Sequence, residues 1–320
     1  MRKVPLHVLI ILGIVSFLGN IILVTYLILT PQQQTTPAIN KLQDASETYP
    51  NLSKRIFSFS QNDIIINFIE LRNQLRNYHD SIPDKIGTYF EYLPSGVSIG
   101  INEKENFVLA SLLKVPLVMA VYKAIDDGTL HHDQILTIRK EDINTGFGDL
   151  WKRGVGAQIT VDEAIGLTLT KSDNTANALL YYAVQAGSLE EIFDQLDIPK
   201  DVQSDEQALV TPKNYSSILR SLYLSSILQT KDSNAILDLL TQSTFNDKIK
   251  AGIPKHVAVA HKIGTYEYGT GKVPTYTDCG IVYVPKRPYI LCIMTKTTEE
   301  KARTYMRTIS RIVYDYVSKQ

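Results

Sequence analysis

The longest apolar stretch of the chain comes first. Val4 to Asn40 contains no Asp, Glu, Lys or Arg, and Leu6 to Leu29 is 24 residues of mostly Leu, Ile and Val. A helix of that length measures about 36 Å, enough to cross about 30 Å of hydrocarbon with some tilt. The pattern predicts a membrane anchor over residues 1–30, embedded through residues 6–29. The run ends Thr25-Tyr26-Leu27-Ile28-Leu29-Thr30, without the small residues of a signal-peptide cleavage site, so the anchor is expected to stay attached. Arg2 and Lys3 precede it and no basic cluster follows closely, which predicts a cytoplasmic N-terminus and an extracytoplasmic remainder. Pro31-Gln-Gln-Gln-Thr-Thr-Pro37 cannot build a core and reads as a tether over residues 31–60. Residues 61–320 are left for one large domain or two interleaved lobes.

Within that domain the hydrophobic period changes twice. Asp63 to His79 carries Ile65, Phe68, Ile69, Leu71 and Leu75 at helical spacing, and Ser81-Ile82-Pro83 stops it. Lys85 to Tyr92 and Val97 to Asn102 read as strands of a hairpin joined by Leu93-Pro94-Ser95-Gly96. The middle is nearly all helix. Ser111 to Asp127 stops at Gly128, Thr160-x-x-Glu163 and Ser188-x-x-Glu191 are capping boxes, and Thr211-Pro212 has N-cap and N1 residues. Strand patterns return at Val257 to Thr265, Asp278 to Val284 and Tyr289 to Thr295, the last two joined by Pro285-Lys286-Arg287-Pro288. A final helix from Thr298 puts Ala302, Tyr305, Met306, Ile309, Ile312, Val313 and Tyr316 on one face. The expected fold is α+β: a five-stranded antiparallel sheet flanked by N- and C-terminal helices, with an all-α lobe inserted and one transmembrane helix in front. The cleft between two such lobes is where an active site is expected.

Composition narrows the function. The 33 basic and 33 acidic side chains balance, so no basic field exists to neutralise nucleic-acid phosphates, and no nucleic-acid partner is expected. Without Arg2 and Lys3 the counts are 31 and 33, which gives the outer part no electrostatic attraction to an anionic membrane surface. Cys279 and Cys292 lack zinc spacing, and His131-His132 has no ligand partner at i,i+4, so no metal or other cofactor is expected. The two cysteines lie in adjacent strands with a diagonal register, which predicts buried free thiols.

Three short motifs carry the chemistry. Ser111-Leu112-Leu113-Lys114 sits at a helix N-terminus, where i and i+3 share a face and the ammonium reaches the hydroxyl. Lysine activates serine when burial or a neighbouring cation lowers its pKa, and helix-terminal N–H groups stabilise an oxyanion. Lys171-Ser172-Asp173-Asn174 lies between two helices; such a cluster makes a turn and cap, and it also offers a proton-relaying hydroxyl and an orienting amide. His261-Lys262-Ile263-Gly264-Thr265 puts a cation on a strand whose next same-face residue is glycine, leaving room for a substrate, with His261 on the opposite face as a structural residue. Each motif is common alone. Their order and spacing, 61 and 90 residues apart at three structural transitions, is not.

The set S-x-x-K, S-D-N and K-x-G resembles that of class A β-lactamases and penicillin-binding proteins, over roughly residues 61–320. The resemblance runs through Ala110-Ser-Leu-Leu-Lys-Val-Pro116, Ser172-Asp173-Asn174 and Val259-Ala-His-Lys-Ile-Gly264. It implies Ser111 as the acylated nucleophile, Lys114 as its base and Ser172 as the proton donor to the leaving nitrogen. It implies Asn174 and Lys262 as holders of the substrate's side-chain carbonyl and carboxylate, and the N–H groups of Ser111 and Thr265 as the oxyanion hole. Phe147 falls where the family has a cleft-rim aromatic, and nearby Trp151 belongs to the rim or the core.

The chain departs from the family twice. Ile263 replaces the Thr of K-T-G, removing a hydroxyl that helps bind carboxylate, for which Thr265 is the available substitute. The Glu-x-x-x-Asn pattern that activates water for deacylation is absent between Leu196 and Thr211, where Glu206 is the only glutamate and no asparagine occurs. The expected function is a membrane-anchored serine hydrolase acting on β-lactams, with slow deacylation. The alternatives are a D,D-peptidase acting on D-alanyl-D-alanine-like peptidoglycan stems, a sensor that stays acylated, and a pseudoenzyme.

Overall fold

The computed structural model describes residues 49–52, 67–199, 208–267 and 273–320. The expected span over 6–29 and Glu206 lie outside the described residues, among which no helix is long and apolar enough to cross a membrane. Within the stretch read as tether, Asn51 is buried: its N–H donates to Asn234 Oδ1 at 3.3 Å and its carbonyl accepts from the Tyr283 hydroxyl at 3.0 Å. Docking on the domain therefore starts earlier than residue 61.

The sheet takes its strands from both ends of the domain. β1 (Lys85–Tyr92) and β2 (Val97–Ile101) form the first hairpin; after β3 (Phe107–Val108), β4 (Ile135–Thr137), β5 (Gln158–Thr160) and β6 (Leu209–Val210), which pair in two small ribbons, come β7 (Val259–Tyr266), β8 (Thr275–Val282) and β9 (Tyr289–Lys296). The order is β2-β1-β9-β8-β7, all antiparallel, so β7 is an edge. The four strands from β1 to β7 are buried almost throughout because both faces are covered. Strand alternation divides them: Phe90, Tyr289, Leu291 and Ile293 face one core, while Cys279, Ile281, Cys292 and Met294 face the other.

Helices α1 (Ile69–Asp80) and α8 (Glu299–Lys319) close the first core. Ala302, Met306, Ile309 and Val313 are fully buried there, and Tyr305, Ile312 and Tyr316 flank them half-buried. The inserted lobe contains α2 (Lys114–Asp126), α3 (Val161–Thr170), α4 (Asn174–Ala183), α5 (Ser188–Gln195), α6 (Pro212–Leu224) and α7 (Thr230–Thr241). Helix α2 is buried from Lys114 to Tyr122, as an apolar helix at the centre of a lobe must be, and ends at Gly128 with φ 73°.

Local signals fare unevenly. Thr160 accepts from the Glu163 N–H at 3.1 Å and Thr211 from that of Asn214 at 3.1 Å, with Pro212 in the first turn. The Thr160 box is half made, because the Glu163 carboxylate turns to Arg153 at 2.5 Å. Ser188 does not cap α5: Gly187, at φ 90°, takes that position and its carbonyl accepts from the Glu191 N–H at 2.9 Å. The cysteines correct the expected free thiols. Cys279 and Cys292 are directly opposite, their Cα atoms 4.0 Å apart, and joined by a disulfide. Proline explains the error. Pro285 and Pro288 carry no N–H for the ladder, so the strands stop at Val282 and Tyr289 and the longer connection shifts the pairing by two.

Candidate active site

Ser111 lies in a short 3-10 turn, Ala110–Leu113, that runs directly into α2. Ala110 has φ 46°, a left-handed conformation costly for a non-glycine residue and held here by its surroundings. The Leu109 N–H donates to Ala208 O at 2.8 Å and the buried Tyr215 hydroxyl to Leu112 O at 3.2 Å. Gly264 of β7 presses on the same turn: a β-carbon there would lie 2.5 Å from Thr277 Oγ1, 3.3 Å from Leu109 O and 3.4 Å from Ala110 Cβ. The missing side chain thus admits the turn that carries Ser111, where the sequence reading left that room to substrate.

Ser172 follows α3 with φ 55°, the second strained residue of the site. Buried Asp173 holds the loop: Oδ1 accepts from the Ala176 N–H at 2.9 Å, capping α4, and Oδ2 from that of Leu150 at 2.9 Å. A β-carbon at Gly148, whose φ is 81°, would fall 2.0 Å from Asp173 Oδ2, so the 145–148 turn needs glycine. Asn174 is aimed by Asn144, whose Oδ1 accepts from its side-chain amide at 3.0 Å, and its N–H donates to Phe147 O at 3.0 Å.

The residues singled out in sequence converge. Lys114 Nζ lies 3.2 Å from Ser111 Oγ, 3.0 Å from Ser172 Oγ, 2.5 Å from Ser172 O and 2.6 Å from Asn174 Oδ1. Lys262 Nζ donates to Ser172 Oγ at 2.8 Å and to Ile263 O at 3.2 Å. Four acceptors surround Lys114, whose ammonium has three protons, so an uncharged amine accepting from a serine hydroxyl fits equally well. Burial lowers its pKa to about 7, partly offset by the Asp173 carboxylate. Lys262 is also pushed well down, first by burial and then by the Lys114 charge, with Asp278 opposing. Asp278 sits on the other face of the sheet, where it takes His261 Nδ1 at 2.8 Å and the Ile249 N–H at 3.0 Å, so His261 is a structural residue.

Thr265 is half-exposed near the end of β7, opposite Tyr276, and Trp151 is half-buried in the 3-10 turn Leu150–Arg153 beneath the Lys152 ammonium. Phe147 is half-buried and meets a residue that the sequence reading missed. Phe245 lies 6.2 Å from it, edge to face at 65°, and its centroid is 5.9 Å from Lys262 Nζ. A lone aromatic in Gln242-Ser-Thr-Phe-Asn-Asp247, directly after α7, was the available signal. Asp173 stood inside the S-D-N motif without a role of its own, and Asn144, an ordinary loop residue, carried no signal.

The family model described as Beta-lactamase enzyme family matches residues 70–317. β-Lactamase VEB-1 of Pseudomonas aeruginosa is 23% identical over 241 residues, covering 68% of this chain and 81% of its own. A β-lactamase of Mycobacterium tuberculosis is 25% identical over 230 residues, 66% of this chain and 72% of its own. Among solved structures, PBP-A is similar with a TM-score of 0.71 at 25% identity, over 79% of this chain and 97% of its own. A single-substitution variant of PBP-A, at the same TM-score and identity, is an acyl-enzyme complex with penicillin G.

Proposed function

Because the chain belongs to the β-lactamase enzyme family, we propose that it is a serine hydrolase acylated on Ser111 by β-lactams, which it releases slowly. The hydrogen-bonded series Ser111, Lys114, Ser172, Lys262 carries this reading. Neutral Lys114 takes the Ser111 proton as Oγ attacks the lactam carbonyl, and the oxyanion forms against the N–H groups of Ser111 and Thr265. The C–N bond then breaks and Ser172 hands its proton to the departing nitrogen, recovering one from Lys114. Asn174 holds the side-chain carbonyl of the substrate. Lys262 holds the carboxylate, an anion that restores the ammonium form that burial disfavours.

Deacylation needs a base on a water molecule as well. Among the described residues the hydrogen-bond partners of Ser111, Lys114 and Ser172 include no carboxylate, and Asp173 is committed to backbone N–H groups. This supports a long-lived acyl-enzyme. It equally favours a second reading, a D,D-peptidase or sensor that meets D-alanyl-D-alanine-like stems and keeps or passes on the acyl group. The same proposal anchors the chain through residues 6–29 with its domain outside the cytoplasm. The Cys279–Cys292 disulfide supports that placement, since such bonds persist in oxidising compartments. Labelled penicillin is the test: the label is expected on Ser111 and absent from folded Ser111→Ala, and labelling that survives the substitution discards the assignment.

A further inference from the structure

Lys262 is only 1% exposed, yet the reading above requires it to meet a substrate carboxylate. Its ammonium touches Ser172 and its own strand, and Phe245 lies near it. That ring approaches from the segment after α7, while Phe147 reaches it from the 145–148 turn of the lobe, so two different segments bring their rings together beside the Lys262 ammonium.

Both backbones are tied down. Phe147 O accepts from the Asn174 N–H at 3.0 Å, the Gly146 N–H donates to Asn144 Oδ1 at 3.0 Å, and the Thr244 N–H donates to Thr170 O at 3.1 Å. Both side chains are only half-buried and can rotate where their backbones cannot. We propose that Phe245, paired with Phe147, is a specificity-determining aromatic gate over Lys262. An arriving carboxylate replaces the Phe245 ring as the partner of the buried ammonium, and the displaced edge-to-face pair must make room for the side chain that Asn174 holds. The gate therefore selects anionic β-lactams with slender, flexible acylamino side chains over those branched or ortho-substituted next to the amide.

This inference rests on the proposed acylation of Ser111, and the experiment separates the two. Second-order acylation constants are measured with benzylpenicillin and with its hindered 2,6-dimethoxyphenyl analogue, on the full chain and on Phe245→Ala, Phe147→Ala and the double variant. Phe245→Leu serves if the alanine variant does not fold. The ratio of hindered to unhindered rates is expected to rise roughly tenfold in Phe245→Ala, the weight of one aromatic pair. The double variant is expected to rise no further, because either loss opens the same gate. An unchanged ratio, or effects that simply multiply, overturns the gate while acylation stands. Absence of any acyl adduct in all folded proteins overturns the acylation reading and the gate with it.

Discussion

Lys114 Nζ lies 3.2 Å from the Ser111 hydroxyl and, through burial, titrates at about 7 in place of its ordinary 10.5. In the proposed acylation the neutral amine is the base, and its population grows as pH rises through that value. Acylation of Ser111 is expected to climb from pH 5 to 8 with a midpoint near 7, measured as the second-order constant with a penicillin. Loss of the Lys262 charge, whose pKa is also depressed, bends the profile down at a pH well below 10.5. Lys114→Ala removes almost the whole rate, as loss of either member of a nucleophile and base unit does. A rate independent of pH between 5 and 8 contradicts the assignment of the base.

Asp173 acts on the site through the backbone. Its carboxylate accepts from Ala176 and Leu150, so Asp173→Ala strips a helix cap and leaves two buried N–H groups unpaired. The expected loss is roughly 2–4 kcal/mol of unfolding free energy, read from urea denaturation. A loss below half a kilocalorie would mean that water substitutes for the carboxylate.

The disulfide closes a short loop across two sheet strands, Cys279 to Cys292, a separation of 13. Chain-entropy arguments assign such a loop about 3 kcal/mol. The Cys279→Ala, Cys292→Ala double variant is expected to unfold at correspondingly lower urea, and reductant should lower the midpoint of the parent but not of the variant.

The placement of the domain is tested by a reporter fused after Gln320. Activity confined to the extracytoplasmic side is expected, and cytoplasmic activity removes a cell-wall or antibiotic encounter from consideration.

Strand and helix identities were legible where periodicity was strong and punctuation clear, as in Lys85 to Tyr92 with its Pro94-Ser95-Gly96 turn or α8 with its apolar stripe. The register of β8 on β9 was not, because the Pro285 to Pro288 turn looked tight while β8 ends at Val282, two residues earlier than its pattern suggests. The meeting of Ser111, Lys114, Ser172, Asn174 and Lys262 was legible because three short motifs stand in a characteristic order along the chain. Phe245 and Asn144 do their work only by tertiary proximity, one to Lys262 and the other to Asn174, which no local pattern encodes. The left-handed backbone at Ala110 and Ser172 was equally hidden, since neither residue type favours it.

The central claim is fast acylation of Ser111 followed by slow release, and intact mass against time after a single addition of benzylpenicillin measures both steps. The expected record is a rapid gain of one penicillin mass that decays roughly 10²–10⁴-fold more slowly than it would with a positioned general base. Rapid return to the free mass, abolished by Glu206→Gln with acylation intact, would show that residue 206 supplies the base and contradict slow release.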